Sequence, residues 1–130
     1  MNIAVRYYSR SGNTKALAEA IAKEVGVDAI SVERSGAEIN EPVDELFIGG
    51  ALYAYGLDSH MKEYLKTLKK DNVKKAVIFS TSWLSKHSVE LIKKRLSENG
   101  IAVENDYFYV KNKPSEAQKK DAAVFARKFV

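Results

Sequence analysis

The sequence predicts an α/β fold: a doubly wound, five-stranded parallel sheet with helices on both faces. Short apolar runs typical of strands buried on both faces alternate along the chain with amphipathic stretches of helical spacing. Because each connection between parallel strands must cross the sheet, this alternation favours a parallel sheet. With 130 residues the chain has enough material for one core, and we expect a single domain over 1–130.

The elements follow in order from these patterns. The first apolar run is expected to be a central strand, and Gly26 stands where the first helix should end. Asp58 and Ser59 are expected to cap the second helix. The segment 34–43 has Gly36, Pro42 and no helical stripe, so it predicts an irregular link or a single short turn. Strands are predicted at 3–8, 28–33, 46–50, 76–81 and 101–110, and helices from near Lys15 to Val25, at 59–70, at 87–99 and at 115–129.

Composition excludes several classes of function. The chain has no cysteine, which excludes disulfides, thiol catalysis and Cys-ligated metals, and no metal site is expected. No apolar stretch approaches the roughly 20 residues of a membrane span, and the first residues lead into a strand pattern, so we expect a cytoplasmic protein. The net charge is +4, with 5 Lys/Arg against 9 Asp/Glu in 1–58 and 16 against 8 in 59–130. Without a recognition motif this surplus predicts a solvated basic face, not a nucleic-acid partner.

A hydroxyl-rich loop follows the first strand, and it has the composition of a phosphate site. The six residues are Ser9, Arg10, Ser11, Gly12, Asn13 and Thr14. At the start of a helix, backbone N–H groups lack partners and the macrodipole is positive, so an anion can bind there. Only one glycine is present and no Gly-Lys-Ser/Thr ending, so a phosphate monoester fits better than a triphosphate or a dinucleotide. The alternative is that Ser11 or Asn13 only caps the helix.

Two further loops leave the same edge of the predicted sheet, and both contain aromatic residues. Their candidate binding residues are Leu52, Tyr53, Ala54, Tyr55 and Gly56 after the third strand, and Thr81, Ser82 and Trp83 after the fourth. Ligands of open parallel sheets bind beyond the carboxyl ends of strands where the strand order reverses. Aromatic faces there suit a flat ring system, although each of these side chains could instead pack against a helix.

The first loop resembles the Ser/Thr-x-Ser/Thr-Gly-x-Thr phosphate loop of the flavodoxin family, at the expected place after a first strand. The run from Ile48 to Tyr53, with Gly56 beyond it, is similar to the loop that contacts the flavin in that family. The resemblance implies strand order 2-1-3-4-5 and noncovalently bound FMN. It also implies that Gly56 belongs to a peptide that can turn toward the flavin N5, and that Thr81 and Ser82 face the pyrimidine edge of the ring. The acidic residue often found after the fourth strand is absent; Lys86 and His87 follow instead.

The resemblance implies an electron-transfer protein with a redox partner, and no residue is assigned a catalytic role. Because the chain is basic where flavodoxins are typically acidic, we expect the partner to present an acidic docking patch. One alternative is an FMN-dependent NAD(P)H/quinone or protoporphyrinogen-type oxidoreductase, although 130 residues leave little room for a second substrate pocket. A second alternative is a non-redox phosphate-binding or interaction module. Whether the protein is an enzyme, and its oligomeric state, stay open at this point.

Overall fold

The apolar runs form a parallel sheet in the computed structural model, which describes residues 1–53, 56–82 and 86–130. The elements are β1 (Ile3–Tyr7), α1 (Asn13–Val25), β2 (Ala29–Ser31), a short 3-10 turn (Ser35–Ala37), β3 (Val43–Gly50), α2 (Ser59–Thr67), β4 (Val73–Thr81), α3 (His87–Glu98), β5 (Ala102–Val110) and α4 (Glu116–Arg127). Between β2 and β3 the described chain has no helix longer than that 3-10 turn, as predicted from the missing helical stripe. None of the described helices is long and apolar enough to cross a membrane.

The strand order is β2-β1-β3-β4-β5, and every neighbouring pair is parallel. This confirms the predicted fold class and order. The chain builds outward from β1 to β2, then returns to the other side of β1 to add β3. The order therefore reverses between β1 and β3, and the carboxyl ends of these two strands flank the switch point.

Helices cover both faces of the sheet, as the predicted crossovers require. On one face, Leu46 and Ile48 of β3 pack in a cluster with side chains of α2 and α3. On the other face, Phe47 joins a cluster with side chains of α1 and α4. Because successive side chains of a strand alternate between faces, an uninterrupted apolar run fills both clusters.

Strands β3 and β4 each begin three residues before the predicted start. Their first residues include the polar Glu45, Lys74 and Lys75, which interrupt the apolar pattern used to place the strands. Parallel pairing nevertheless continues back to Val43 and Val73, because ladder hydrogen bonds use the backbone. Helix α2 ends at Thr67 and not at 70, since the next residue is already extended, with φ −87° and ψ 132°.

The predicted helix boundaries at two capping residues are confirmed. Gly26 ends α1 in the left-handed region at φ 78°, a conformation that costs glycine little. Asp58 caps α2, and its carboxylate accepts a hydrogen bond from the His60 N–H at 2.7 Å. The start of α2 is thereby placed directly beside the loop that follows β3.

Candidate functional site

The loop after β1 presents free backbone donors at the start of α1. Gly12 is the N-cap residue, with φ 92°, and no side chain caps the helix. Its own N–H donates to Ser9 Oγ at 3.0 Å, and the Asn13 N–H donates to Ser11 Oγ at 3.4 Å. Within the described chain, no acceptor satisfies the N–H of Thr14 or the residue after it. Neither Ser11 nor Asn13 is the N-cap, so the loop leaves N–H groups that an anion can accept from.

Hydroxyl groups join this loop to the end of β4. Thr14 is 1% exposed, and its Oγ1 lies 2.6 Å from Oγ1 of Thr81. Thr81 is the last residue of β4, and Ser82 beyond it donates its N–H to the Val110 carbonyl at 3.2 Å. The Ser82 carbonyl also accepts a hydrogen bond from the Tyr109 hydroxyl. The strand ends β4 and β5 are thus held against the first turn of α1.

A cavity of about 210 Å³ lies between the three loops. It is lined by Ser11, Asn13, Ala51, Leu52, Tyr53, Thr81, Ser82 and Asn112. Six of these eight residues are among those predicted from the sequence. The structure thereby brings the first loop together with residues that follow β3 and β4, at the switch point.

Ala51 and Asn112 are the cavity residues that sequence reasoning missed. Asn112 follows β5, has φ 69°, and its Oδ1 lies 3.5 Å from the Asn13 Nδ2 that donates to it. A signal was present, since a residue directly after the fifth strand must emerge at the same sheet edge as the other loops. An asparagine also tolerates the left-handed region better than most residues. Asn112 therefore supplies a fourth wall, from β5.

Arg10 ties the first loop to the loop after β3. Its guanidinium Nη2 donates to Asp58 Oδ1 at 2.6 Å, and its Cζ lies 3.9 Å from the centre of the Tyr53 ring. The Arg10 N–H also donates to the Tyr53 hydroxyl at 3.3 Å. Burial raises the pKa of the Tyr53 hydroxyl, so this side chain stays neutral well beyond pH 7. The Arg10 guanidinium therefore covers one face of the Tyr53 ring.

Asp58 is the charged centre of this link. Its side chain is 5% exposed and lies 2.8 Å from Nδ1 of His60, whose ring stacks on Tyr8 at 5.0 Å between centroids. Burial raises the pKa of Asp58, but hydrogen bonds from Arg10 and from the backbone and ring of His60 outweigh it and hold the pKa below its usual value. Asp58 is therefore ionised at neutral pH and connects the two loops.

Not every predicted binding residue lines the cavity. Ser9, Arg10 and Gly12 shape the first loop from outside it, and Gly56 exchanges two backbone hydrogen bonds of 2.9 Å with Tyr53. Gly56 has φ 101°, which favours glycine at this turn. The predicted residues Ala54, Tyr55 and Trp83 lie outside the described residues.

The donor set fits a phosphate ester attached to a flat ring. Free N–H groups and the Ser11 hydroxyl suit phosphate oxygens, while Leu52 and Tyr53 offer apolar surface beside them. Fold and site together define a doubly wound α/β protein with free backbone N–H groups and a cavity at its topological switch point. A sequence model of the flavodoxin domain matches residues 4–126. The chain belongs to the flavodoxin family, whose members bind FMN.

Solved structures of flavodoxins share this fold over nearly the whole chain. A flavodoxin from the domain Archaea is 23% identical, with a TM-score of 0.86 and coverage of 99% of this chain and 96% of that one. Oxidised Flavodoxin 1 from Bacillus cereus is 22% identical, with a TM-score of 0.82 and coverage of 99% and 97%. Rubredoxin oxygen:oxidoreductase from Desulfovibrio gigas is 16% identical, with a TM-score of 0.85, coverage of 98% of this chain and 34% of that one. No curated protein sequence matches significantly.

Proposed function

We propose that this protein binds FMN noncovalently and transfers electrons between a reductant and an acceptor protein. The observation that carries the proposal is the set of unpartnered N–H groups at the start of α1, beside the cavity at the switch point. A phosphate monoester dianion fits a positive helix terminus far better than a neutral ligand does. FMN would supply the redox chemistry when bound, and the protein would orient it and limit its contact with water.

Each loop has a distinct part in the proposed binding. Residues 9–14 would hold the phosphate, Leu52 and Tyr53 would contact the ring, and Thr81 and Ser82 would contact its polar edge. We also assign cofactor binding to Gly56, Ala54, Tyr55 and Trp83, as predicted from the sequence. Cytoplasmic location, and a single functional unit over 1–130, remain predictions.

An electron carrier is favoured over a self-sufficient enzyme. Strand β5 runs from Ala102 to Val110 without a long insertion that could build a second substrate pocket. A nicotinamide or a porphyrin would need additional space against the ring. Steady-state assays with NADH and a quinone test this choice. Turnover well above that of free FMN would show an oxidoreductase instead.

Titration of the apoprotein with FMN and with riboflavin tests the cofactor and the phosphate loop together. We expect FMN to bind at least about 100-fold more tightly, because riboflavin lacks the dianion. Ser11→Ala should weaken FMN binding about 5- to 10-fold, since one hydrogen bond to a charged group is lost, and leave riboflavin nearly unchanged. Flavin fluorescence quenching measures all of these affinities.

Thr14→Ala and Ser97→Ala complete the design. Thr14→Ala should also weaken FMN binding more than riboflavin binding, through loss of the Thr81 contact and disturbance of the loop. Ser97→Ala removes an exposed hydroxyl far from the loops and should change neither affinity. Equal affinities for FMN and riboflavin would contradict the phosphate assignment. A purified protein that binds neither would instead be a non-redox module.

A further inference from the structure

We propose that the groove between α2 and α3 is the surface on which an acidic redox partner docks. The inference rests on the proposed function and deepens it by placing the partner. The groove has a volume of about 330 Å³. Its floor is apolar, formed by buried Leu57, half-buried Leu91 and the adjacent Gly56, and its rim carries Lys62, Lys94 and Arg95.

The rim cations have no charge partner inside the described chain. Lys62, Lys94 and Arg95 are exposed, and none of them forms an ion pair among residues 1–53, 56–82 and 86–130. Glu98 is the single carboxylate among the groove's described lining residues. Three cations around one carboxylate leave the rim positively charged. A carboxylate-rich surface would therefore bind here with electrostatic complementarity.

The opposite helical layer has both paired and unpaired cations. There Lys119 pairs with Glu116 at 3.1 Å and Arg127 with Glu24 at 2.9 Å, whereas Lys23 and Lys120 form no ion pair among the described residues. What distinguishes the α2 and α3 side is that three unpaired cations line a single groove.

The groove adjoins the proposed cofactor site. Its floor residue Gly56 is joined to Tyr53 by two backbone hydrogen bonds of 2.9 Å, and Tyr53 lines the cavity between the loops. A protein seated in the groove would therefore contact the segment that borders the flavin. Electron transfer requires such an approach to the edge of the cofactor.

The shape of the groove favours a protein over a free phosphate. Its cations are spread over two helices, and Lys94 and Arg95 lie in the second half of α3, away from its N-terminal N–H groups. A phosphate site needs donors that converge on one point, usually with backbone N–H groups among them. An apolar floor inside a charged rim is instead the anatomy of a protein interface.

Electron transfer to two haem proteins of opposite surface charge tests the proposal. The FMN-loaded protein is reduced chemically, and in a stopped-flow instrument each electron reduces one ferric haem of cytochrome b5, the acidic probe, or of cytochrome c, the basic probe. The test variant is Lys94→Glu/Arg95→Glu. The control is Lys23→Glu/Lys120→Glu, which makes the same change in net charge on the α1 and α4 layer.

At low ionic strength we expect the test variant to slow transfer to cytochrome b5 about 10-fold and the control less than about 2-fold. The difference should shrink at high salt. Equal losses in the two variants would overturn the docking site, because net charge alone would then explain the rate. A wild-type rate of transfer in the test variant would also overturn the docking site. Rapid reduction of bound FMN by NADPH, if the test variant abolished it, would overturn the docking site as well.

The FMN affinity of each variant separates the two proposals. Wild-type affinity together with an unchanged rate in the test variant would overturn only the docking surface. Failure of the parent protein to bind FMN would overturn the proposed function and the docking surface with it. Circular dichroism melts establish that both double variants are folded before rates are compared.

Discussion

Asp58 shows how one carboxylate can hold two loops and begin a helix at the same time. It accepts from Arg10 across the site, from the His60 N–H at the start of α2, and lies against the His60 ring. The three contacts explain why an almost buried aspartate stays charged. They also predict that its charge, and not only its capping role, stabilises the fold.

Asp58→Asn should lower the free energy of unfolding by about 1–2 kcal/mol at pH 7, because hydrogen bonds to a charged acceptor become neutral ones while asparagine still caps the helix. The folded-state pKa of Asp58 lies below its unfolded value. Its contribution is therefore present above the unfolded pKa and is lost as pH falls through the folded one. Urea titrations of both proteins from pH 7 to pH 2.5 should show the difference closing.

The exposed pair of Glu63 and Lys66 provides the control. Glu63→Gln should cost less than about 0.5 kcal/mol at any pH, because solvent screens an exposed ion pair. A pH-independent loss in Asp58→Asn would contradict the role given to its charge.

At the scale of the element, β3 is constrained near its carboxyl end by a side chain of the neighbouring strand β4. Near its carboxyl end, a Cβ on Gly49 would lie 2.1 Å from Cε2 of Phe79, whereas one on Gly50 would lie 3.5 Å from the nearest atom, Cε of Met61. The two adjacent glycines therefore differ in the space available for a side chain. Only the first has its side-chain space filled by a neighbouring ring.

Gly49→Ala should destabilise the protein by at least about 2 kcal/mol, because the Phe79 ring would have to leave a packed cluster. Gly50→Ala should change the free energy of unfolding by less than about 1 kcal/mol. Chemical denaturation measures both. Adding Phe79→Leu to Gly49→Ala should restore part of the loss, and equal effects of the two single substitutions would show that the ring is not the cause.

At its other end, β3 carries a buried acid. Glu45 is 4% exposed and its Oε2 has no hydrogen-bond partner in the described chain. Burial, and then repulsion from Glu104, raise the pKa of Glu45 to about 7, although Lys75 opposes the shift. The unfolded chain binds this proton only at lower pH. The contribution of protonated Glu45 to the free energy of unfolding is therefore complete below the unfolded pKa and is lost as pH rises through about 7.

Glu45→Gln should remove that loss. We expect the variant to match the parent near pH 4.5 and to exceed its free energy of unfolding at pH 8.5, by on the order of 3 kcal/mol at most. Thermal or urea denaturation across this pH range tests the expectation. Glu104→Gln should shift the transition of the parent to lower pH, because it removes the repulsion. Identical pH profiles in Glu45→Gln and the parent would contradict it.

At the scale of the whole molecule, positive charge is concentrated in the second half of the sequence. The net charge is +4. Lys86, at the start of α3, lies 5.7 Å from the Tyr107 ring, and hydrogen bonding to Tyr107 raises its pKa. A positive field near bound FMN would favour the negative charge that the flavin ring acquires with its second electron.

We therefore expect the midpoint potential for the second electron to be less negative than in acidic flavodoxins. Lys86→Glu should make it more negative by on the order of tens of mV, whereas Lys120→Glu on the opposite layer should change it less. Redox titration of the FMN-loaded proteins, repeated at high salt, measures both. A potential as low as that of acidic flavodoxins and insensitive to Lys86→Glu would contradict the expectation.

Much of the fold could be predicted because it depends on local patterns. Apolar runs located the five strands, and the segment without a helical stripe gave only a short turn in the described chain. Errors of three residues at β3 and β4 arose where polar residues continue a strand, since backbone pairing does not require apolar side chains. The first loop was predicted for the same local reason, because hydroxyls and a glycine lie together at a strand-to-helix turn.

The order of residues by itself determined the α/β class, the strand order through the family resemblance, and six of the eight residues that line the cavity. Only the tertiary structure decided that Thr14 pairs with Thr81, that Arg10 reaches Asp58, that Asn112 closes the cavity, and that uncompensated cations surround the groove between α2 and α3. Periodicity reports which face of an element is apolar, because burial acts on each residue through its own side chain. Contacts between residues distant along the chain depend on how strands and helices are placed in space, and no local pattern contains that information.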